Sequence, residues 1–186
     1  MTNPVCKYLN SNGNYSEREL QLLEEALEYK TVKKNDFVLK AGEVCNIVGF
    51  VIDGALYQYK LDEDSNKMVV DFHIEDNWVI NVKSFTTQKP SKYHIQAFEE
   101  TILYSLSIDA IHKLIAKSQS FLQMGKVLEA SHSRSVFFED LKSPDDKYAL
   151  LLKKRPDVIK IFPQQFIASY LNITPETLSR VRKRLK

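Results

Sequence analysis

The stretch that decides the reading is Gln164-Gln-Phe-Ile-Ala-Ser-Tyr-Leu-Asn-Ile-Thr-Pro-Glu-Thr-Leu-Ser-Arg-Val-Arg-Lys-Arg-Leu185. Gln164 to Tyr170 reads as a short helix and Asn172-Ile-Thr as a turn. Thr174 then caps a second helix, with Pro175 at its first position, where the missing N–H costs nothing. Leu178, Val181 and Leu185 share a face of that helix and are predicted to point inward. Ala168 is small where the two helices would cross, and Leu171 and Ile173 flank the turn. Two helices joined by a tight turn, the second of them basic, make a helix-turn-helix pattern. Glu176 and Arg180 lie four residues apart on the outward face. A carboxylate there can accept from cytosine N4, and a guanidinium can pair with guanine O6 and N7. Thr174, Thr177, Arg182, Lys183 and Arg184 suit phosphate contacts, and Gln164 and Gln165 at the start of the first helix join them as candidates. The plainer role for Glu176 and Arg180 is a surface ion pair worth a few tenths of a kcal/mol.

Charge points the same way. Residues 1–142 carry 16 Lys and Arg against 20 Asp and Glu, a net of −4. Residues 143–186 carry 10 against 4, a net of +6. A basic end on a mildly acidic body suits a polyanion partner, although a solvated basic tail would look the same.

Outward from this motif, Ser143-Pro144-Asp145-Asp146 reads as a helix start, and that helix continues to about Lys154. Pro156 and Pro163 are expected to bracket a connector. From Gln119 to Lys142 the chain has no proline. Phe121, Leu128 and Ser135 fall seven apart, as do Met124, Ser131 and Phe138. Interleaved, they make a seam over three heptads and predict a dimerisation helix through Phe121, Met124, Leu128 and Phe138. A helix packed on its own domain would show the same spacing.

Between Thr31 and Ser107 the pattern is of short β-rich runs divided by turns. The runs are Phe37–Leu39, Ile47–Ile52, Ala55–Tyr59, Met68–Ile74, His94–Phe98 and Thr101–Leu106. Such spacing predicts an antiparallel sandwich or barrel, and Asp53-Gly54 reads as a hairpin turn. Residues 16–29 read as a helix opened by the capping-box pair Ser16 and Glu19, with Leu20, Leu23 and Leu27 in one stripe. Asp109 to Lys117 reads as another.

Composition excludes several classes. With 186 residues, 44% hydrophobic and 27% charged, the chain is neither disordered nor fibrous. No apolar run approaches the ~18 residues of a membrane span, and the first 20 residues lack the pattern of a secretory signal. Cys6 and Cys45 are too few for a disulfide framework, so a reduced, cytoplasmic setting is expected.

Taken together, these motifs resemble the CRP/FNR family of bacterial transcriptional regulators over nearly the whole chain. Lys40-Ala-Gly-Glu and Val51-Ile-Asp-Gly-Ala-Leu-Tyr resemble the glycine turns of that family's cyclic-nucleotide-binding β-roll. Pro175-Glu-Thr-Leu-Ser-Arg180 resembles its recognition helix. The resemblance implies an α+β chain with an N-terminal antiparallel double-stranded β-helix of the jelly-roll kind, a long dimerisation helix and a C-terminal helix-turn-helix. Its boundaries would be 1–118 for a sensor, 119–142 for the dimerisation helix and hinge, and 143–186 for the DNA-binding part. It implies a homodimer on palindromic double-stranded DNA, with RNA polymerase as a further partner and no membrane. The chain stops near the end of the recognition helix, so the family's β-hairpin wing is expected to be truncated or absent.

The resemblance breaks at the effector. The family's cyclic-AMP binders place Gly-Glu and Arg-Ser where this chain has Ile80, Asn81, Ser91 and Lys92, with Val82 beside them. Ile80 adds bulk where backbone must approach a ligand. Ser91 cannot neutralise a phosphate, and Lys92 lacks the bidentate fork of arginine. Cyclic AMP is therefore expected not to bind tightly, and the effector stays open. Two cysteines cannot supply the four ligands of a protein-held iron–sulfur cluster. His73, His94, His112 and His132 leave haem open on count, each being expected on a strand or helix surface. No His-x-His, phosphate loop or nucleophile motif supports an enzyme. The competing reading is a small-molecule-sensing module that works through protein partners without specific DNA binding.

Overall fold

The computed structural model describes residues 3–135, 141 and 143–185, without the side chains of 132–135. Two helices, α1 (Pro4–Asn12) and α2 (Glu17–Ala26), lead into eight strands. These are β1 (Glu28–Val32), β2 (Phe37–Leu39), β3 (Ile47–Asp53), β4 (Leu56–Leu61), β5 (Lys67–His73), β6 (Trp78–Val79), β7 (His94–Ala97) and β8 (Thr101–Ser107). A short helix, α3 (Val82–Thr87), lies between β6 and β7. The helical remainder comprises α4 (Ile108–Lys117), a 3₁₀ segment (Gln119–Met124), α5 (Gly125–Ser135), α6 (Pro144–Lys154), α7 (Pro156–Ile161), α8 (Gln164–Tyr170) and α9 (Pro175–Arg184).

The strands make two antiparallel four-stranded sheets, β1-β8-β3-β6 and β2-β7-β4-β5. Their inner faces enclose Phe50, Leu56, Trp78, Ile95, Leu103 and Leu106, all nearly or fully buried. This is the expected α+β architecture with a jelly-roll-like β part. The six strand segments read from sequence all form. The short β1 and β6, and α1 and α3, were not legible as elements.

Asp53-Gly54 has a different job from the hairpin expected of it. β3 and β4 belong to different sheets, so the turn is a corner between them. Gly54 sits at φ +92°, and a Cβ there would meet the Glu100 carbonyl oxygen at 2.4 Å and Thr101 Cα at 2.7 Å. Only glycine fits a left-handed corner packed this closely on backbone.

Other expectations are corrected. The helix predicted over 16–29 ends at Ala26, where Leu27 turns extended and the chain enters β1. Its capping box forms as read, Glu19 accepting from the Ser16 N–H at 2.7 Å. The Ser118 hydroxyl and the Ser16 donors hold the Glu19 carboxyl down to about 2. The connector between Pro156 and Pro163 is the helix α7, with Pro156 in its first turn. The long helix over 119–142 does not start as an α-helix. Its first six residues are 3₁₀, three residues per turn, which breaks the heptad phase. Phe121 and Met124 point into the chain's own core, 0% and 6% exposed, so neither is offered to a partner. Leu128 is half-buried on that core, and Phe138 lies outside the described residues. Among the described residues of this stretch Leu122 is a strongly exposed apolar side chain, at 61%.

A second apolar core joins the two halves of the molecule. Tyr57, Tyr59, Val69 and Phe72 of β4 and β5 pack with Tyr148, Leu151, Val158, Phe162, Ile167 and Tyr170 of the C-terminal helices. The rings of Phe72 and Phe162 lie 4.2 Å apart, and Tyr57 meets Phe166 at 4.9 Å.

Candidate nucleic-acid interface and effector position

The helix-turn-helix is α8, the turn Leu171–Thr174 and α9. Ala168, Leu171, Leu178 and Val181 are buried between these helices and α6. The turn closes with a hydrogen bond from the Ile173 N–H to the Ala168 carbonyl, 3.0 Å. Asn172 takes φ +53°, a left-handed conformation that asparagine tolerates better than most residues. The Lys147 ammonium donates to the Leu171 carbonyl at the end of α8, where a cation is favoured. Thr174 caps α9 as read, its Oγ1 accepting from the Thr177 N–H at 3.2 Å. Leu185 departs from the reading: it follows the last turn of α9 and is 45% exposed, so the inward face ends at Val181.

The remaining face of α9 is solvent-exposed. Thr174, Glu176, Arg180 and Lys183 are exposed, and Thr177 and Arg182 half-buried. Gln164 and Gln165 are exposed at the start of α8. Glu176 is held below the usual carboxylate range, first by its own backbone N–H, then by the Thr174 hydroxyl, and least by the Arg180 charge. Arg180 is exposed beside it. Arg184 is paired: its Nε and Nη2 donate to the two carboxylate oxygens of Asp145 at 3.0 and 2.7 Å. The predicted row is therefore brought together except for Arg184, which is tied to α6.

The effector position is built differently. Ile80 is buried and lines a cavity of about 280 Å³ with Val38, Leu39, Cys45, Ile47 and Ile95, Glu43 standing among them. Asn81 is 5% exposed, and its Oδ1 accepts from the Ser84 N–H, capping α3. Ser91 is equally buried, accepting from the Tyr93 N–H and donating to the Tyr93 carbonyl, both at 2.9 Å. Val82 is half-buried and Lys92 exposed. None of Asn81, Val82, Ser91 and Lys92 lines the cavity. Burial raises the Cys45 thiol, so it is no ready nucleophile.

The histidines part company. His112 is exposed and His94 half-buried, whereas His73 is 1% exposed, which corrects the expectation of a surface site. Its Nδ1 lies 3.1 Å from the Trp78 carbonyl. Among the described residues no group of three or more His, Cys, Asp or Glu could hold a metal.

The sequence reading also missed Asp71 and Arg155. Asp71 is 3% exposed on β5, and Arg155, between α6 and α7, donates to it at 2.9 Å. Burial opposes the charge of Arg155, but Asp71 and Tyr170 outweigh it and raise its pKa. The available signal was an aspartate inside the apolar run Met68–Ile74, since a buried carboxylate calls for a cation.

The chain joins a β-roll carrying a cavity to helices and a helix-turn-helix with an exposed polar face. This is the fold of the CRP/FNR transcriptional regulators. Residues 29–118 match the family model described as a cyclic nucleotide-binding domain. The chain is similar to the anaerobic regulatory protein of Haemophilus influenzae, 22% identical, the match covering 92% of this chain and 72% of that protein. In structure it is similar to FixK2 of Bradyrhizobium japonicum, with a TM-score of 0.71 and 17% identity over 86% of this chain and 84% of that one. A CRP/FNR-family regulator from Eubacterium rectale matches with a TM-score of 0.65 and 17% identity, over 95% and 85% of the two chains. The first of these is described as a regulatory protein and the last as a transcriptional regulator. Among the described residues no helix is long and apolar enough to cross a membrane.

Proposed function

We propose that the protein is a cytoplasmic, homodimeric, sequence-specific DNA-binding transcriptional regulator that does not respond to cyclic AMP. The observation that carries this reading is the free polar face of α9 on a closed core. Glu176 and Arg180 sit where base edges would lie, with Thr174, Thr177, Arg182 and Lys183 around them for phosphates. As a dimer it would set two such helices in successive major grooves, about 34 Å apart. Exposed Leu122, beside the apolar cleft lined by Ile111, Ile115 and Leu128, favours pairing along this side. RNA polymerase is the partner through which DNA binding would act on transcription.

Cyclic AMP is disfavoured because Asn81 and Ser91 are already committed inside the protein and Lys92 faces solvent. An effector of the roll must bind two states with different affinity, or it shifts nothing. The 280 Å³ cavity is the candidate place for one, with Glu43 and Asn46 in its lining beside Val38, Leu39, Ile80 and Ile95. The alternative, a sensing module that acts on protein partners alone, gains nothing from an exposed Arg180.

The test is selection from random duplex DNA with the purified, ligand-free protein. Enrichment of a two-fold palindrome is the expected result. Enrichment of nothing, with and without small-molecule extracts, would move the assignment to the partner-binding module.

A further inference from the structure

The contact between the sensor roll and the C-terminal helices contains more than apolar packing. Arg155 stands at the junction of α6 and α7, followed by Pro156, with a backbone (φ −143°, ψ 56°) that belongs to neither helix. Its side chain is 11% exposed. Nη1 donates to Asp71 Oδ1 at 2.9 Å and to the Tyr170 hydroxyl at 3.1 Å. Nη2 donates to the Phe72 carbonyl and, at 3.4 Å, to Asn77 Oδ1. Three of these acceptors belong to the roll and one to α8. The guanidinium is thus shared between the sensor and the first helix of the reader.

A second set of directed bonds lies one residue away, at the same C-terminal end of α8. Ser169 Oγ accepts from the Val69 N–H at 2.9 Å and donates to the Lys67 carbonyl at 3.1 Å. Together these tie the C-terminal end of α8 to β5 through one charged and one neutral group. Apolar contact alone, such as Phe72 on Phe162, tolerates sliding and rotation. A planar guanidinium with four acceptors does not. Throughout this docked arrangement the outer face of α9 stays exposed, so docking presents the recognition helix and does not mask it.

We propose that Arg155 is a positioning residue for DNA recognition: with Asp71 as counter-charge, it fixes the helix-turn-helix against strand β5 of the roll. The inference rests on the DNA-binding reading above. It makes β5 the strand through which a change in the roll reaches the reader. Arg155 touches no base. It acts by limiting the orientations of α8, and so of α9, to the one that fits both half-sites of a palindrome at once.

The test uses the full chain. Wild type, Arg155→Met and the milder Arg155→Lys are compared on the selected operator, on operators with one base pair added or removed between half-sites, and on scrambled duplex. Far-UV circular dichroism and the fluorescence of buried Trp78 report folding. Arg155→Met is expected to weaken operator binding by about tenfold or more and leave scrambled-duplex affinity and its salt slope unchanged, because phosphate contacts do not depend on half-site geometry. Arg155→Lys keeps the charge but loses the fork, and is expected to relax the spacing preference. Should Arg155→Met fail to fold, the spacing profile of Arg155→Lys decides. Equal losses on operator and scrambled duplex would mark Arg155 as a purely structural residue and overturn the proposal. So would an unchanged spacing profile in folded Arg155→Lys. A wild type that selects no sequence would instead overturn the DNA-binding reading, and the positioning role with it.

Discussion

The short helix α3 and the recognition helix α9 begin alike and end in opposite conditions. Each opens on a polar side chain that caps it, Asn81 for α3 and Thr174 for α9, each bonding the N–H three residues on. Around α3 the polar groups are turned inward: Asn81 and Ser91 are buried and bonded to backbone, and Ser84 donates to the Lys89 carbonyl and accepts from the Cys45 N–H. Around α9 they face solvent. A polar residue already paired inside the protein must break that pairing to hold a ligand. One left in water only exchanges partners. At the position of the family's nucleotide site Asn81 and Ser91 are paired within the fold, whereas on α9 Glu176, Arg180 and Lys183 face solvent.

The comparison breaks first if the support of α9 is removed. Leu178 is 1% exposed between α8, α9 and α6, and Leu178→Ala should cost about 2–5 kcal/mol. Thermal unfolding should show the loss, and DNA binding should fall with the folded fraction and recover on cooling. A loss of binding in fully folded protein would mean that Leu178 does more than pack. Next in size is Arg180→Ala, which should cost about 1–3 kcal/mol on the operator and relax the preference at one base pair. A loss uniform across sequences would make Arg180 a phosphate contact.

How far these regions were legible follows from what each signal depends on. The helix-turn-helix is local: Thr174, Pro175 and the spacing of Leu178 and Val181 carry it within 22 residues, so α8 and the start of α9 were readable to the residue, though the outward Leu185 at its end was not. The strands were legible by alternation, but not their partners, because pairing across sheets is set by contacts distant in sequence. That is why Asp53-Gly54 looked like a hairpin: the Glu100 and Thr101 backbone that forces its conformation lies some 46 residues away. The seam through Phe121 and Met124 had the right period for two uses, and periodicity cannot say whether the facing surface belongs to the same chain. The Arg155–Asp71 contact spans 84 positions and has no local pattern beyond an aspartate in an apolar strand.

The two caps sharpen the comparison at a smaller scale. Thr174→Ala and Asn81→Ala each remove one side-chain acceptor from a helix start, typically worth about 1 kcal/mol. Thr174→Ala should also weaken operator binding, because the cap orders the end of α9 that would face DNA and helps hold Glu176 ionised. Asn81→Ala should cost at least as much stability, since it leaves the buried Ser84 N–H unpaired, and change DNA affinity no more than its stability loss dictates. Chemical denaturation of both variants beside operator titrations separates the outcomes. An Asn81→Ala protein with normal stability and altered operator affinity would place a working effector contact at α3.

The smallest effect expected concerns two lysines that sequence treats alike. Lys183 and Lys92 are both exposed, one on α9 and the other at the edge of the supposed nucleotide position. Neither change should alter folding, since no buried partner is lost in either case. If α9 lies along DNA, Lys183→Ala removes about one neutralised phosphate, and the slope of log affinity against log salt should become shallower by about 1. Lys92→Ala, at an exposed position before β7, should leave that slope where it was. Salt titration of operator binding at constant pH reads the two slopes directly. Equal changes for both lysines would extend the DNA footprint onto the sensor, and no change for either would move the phosphate contacts away from the last turn of α9.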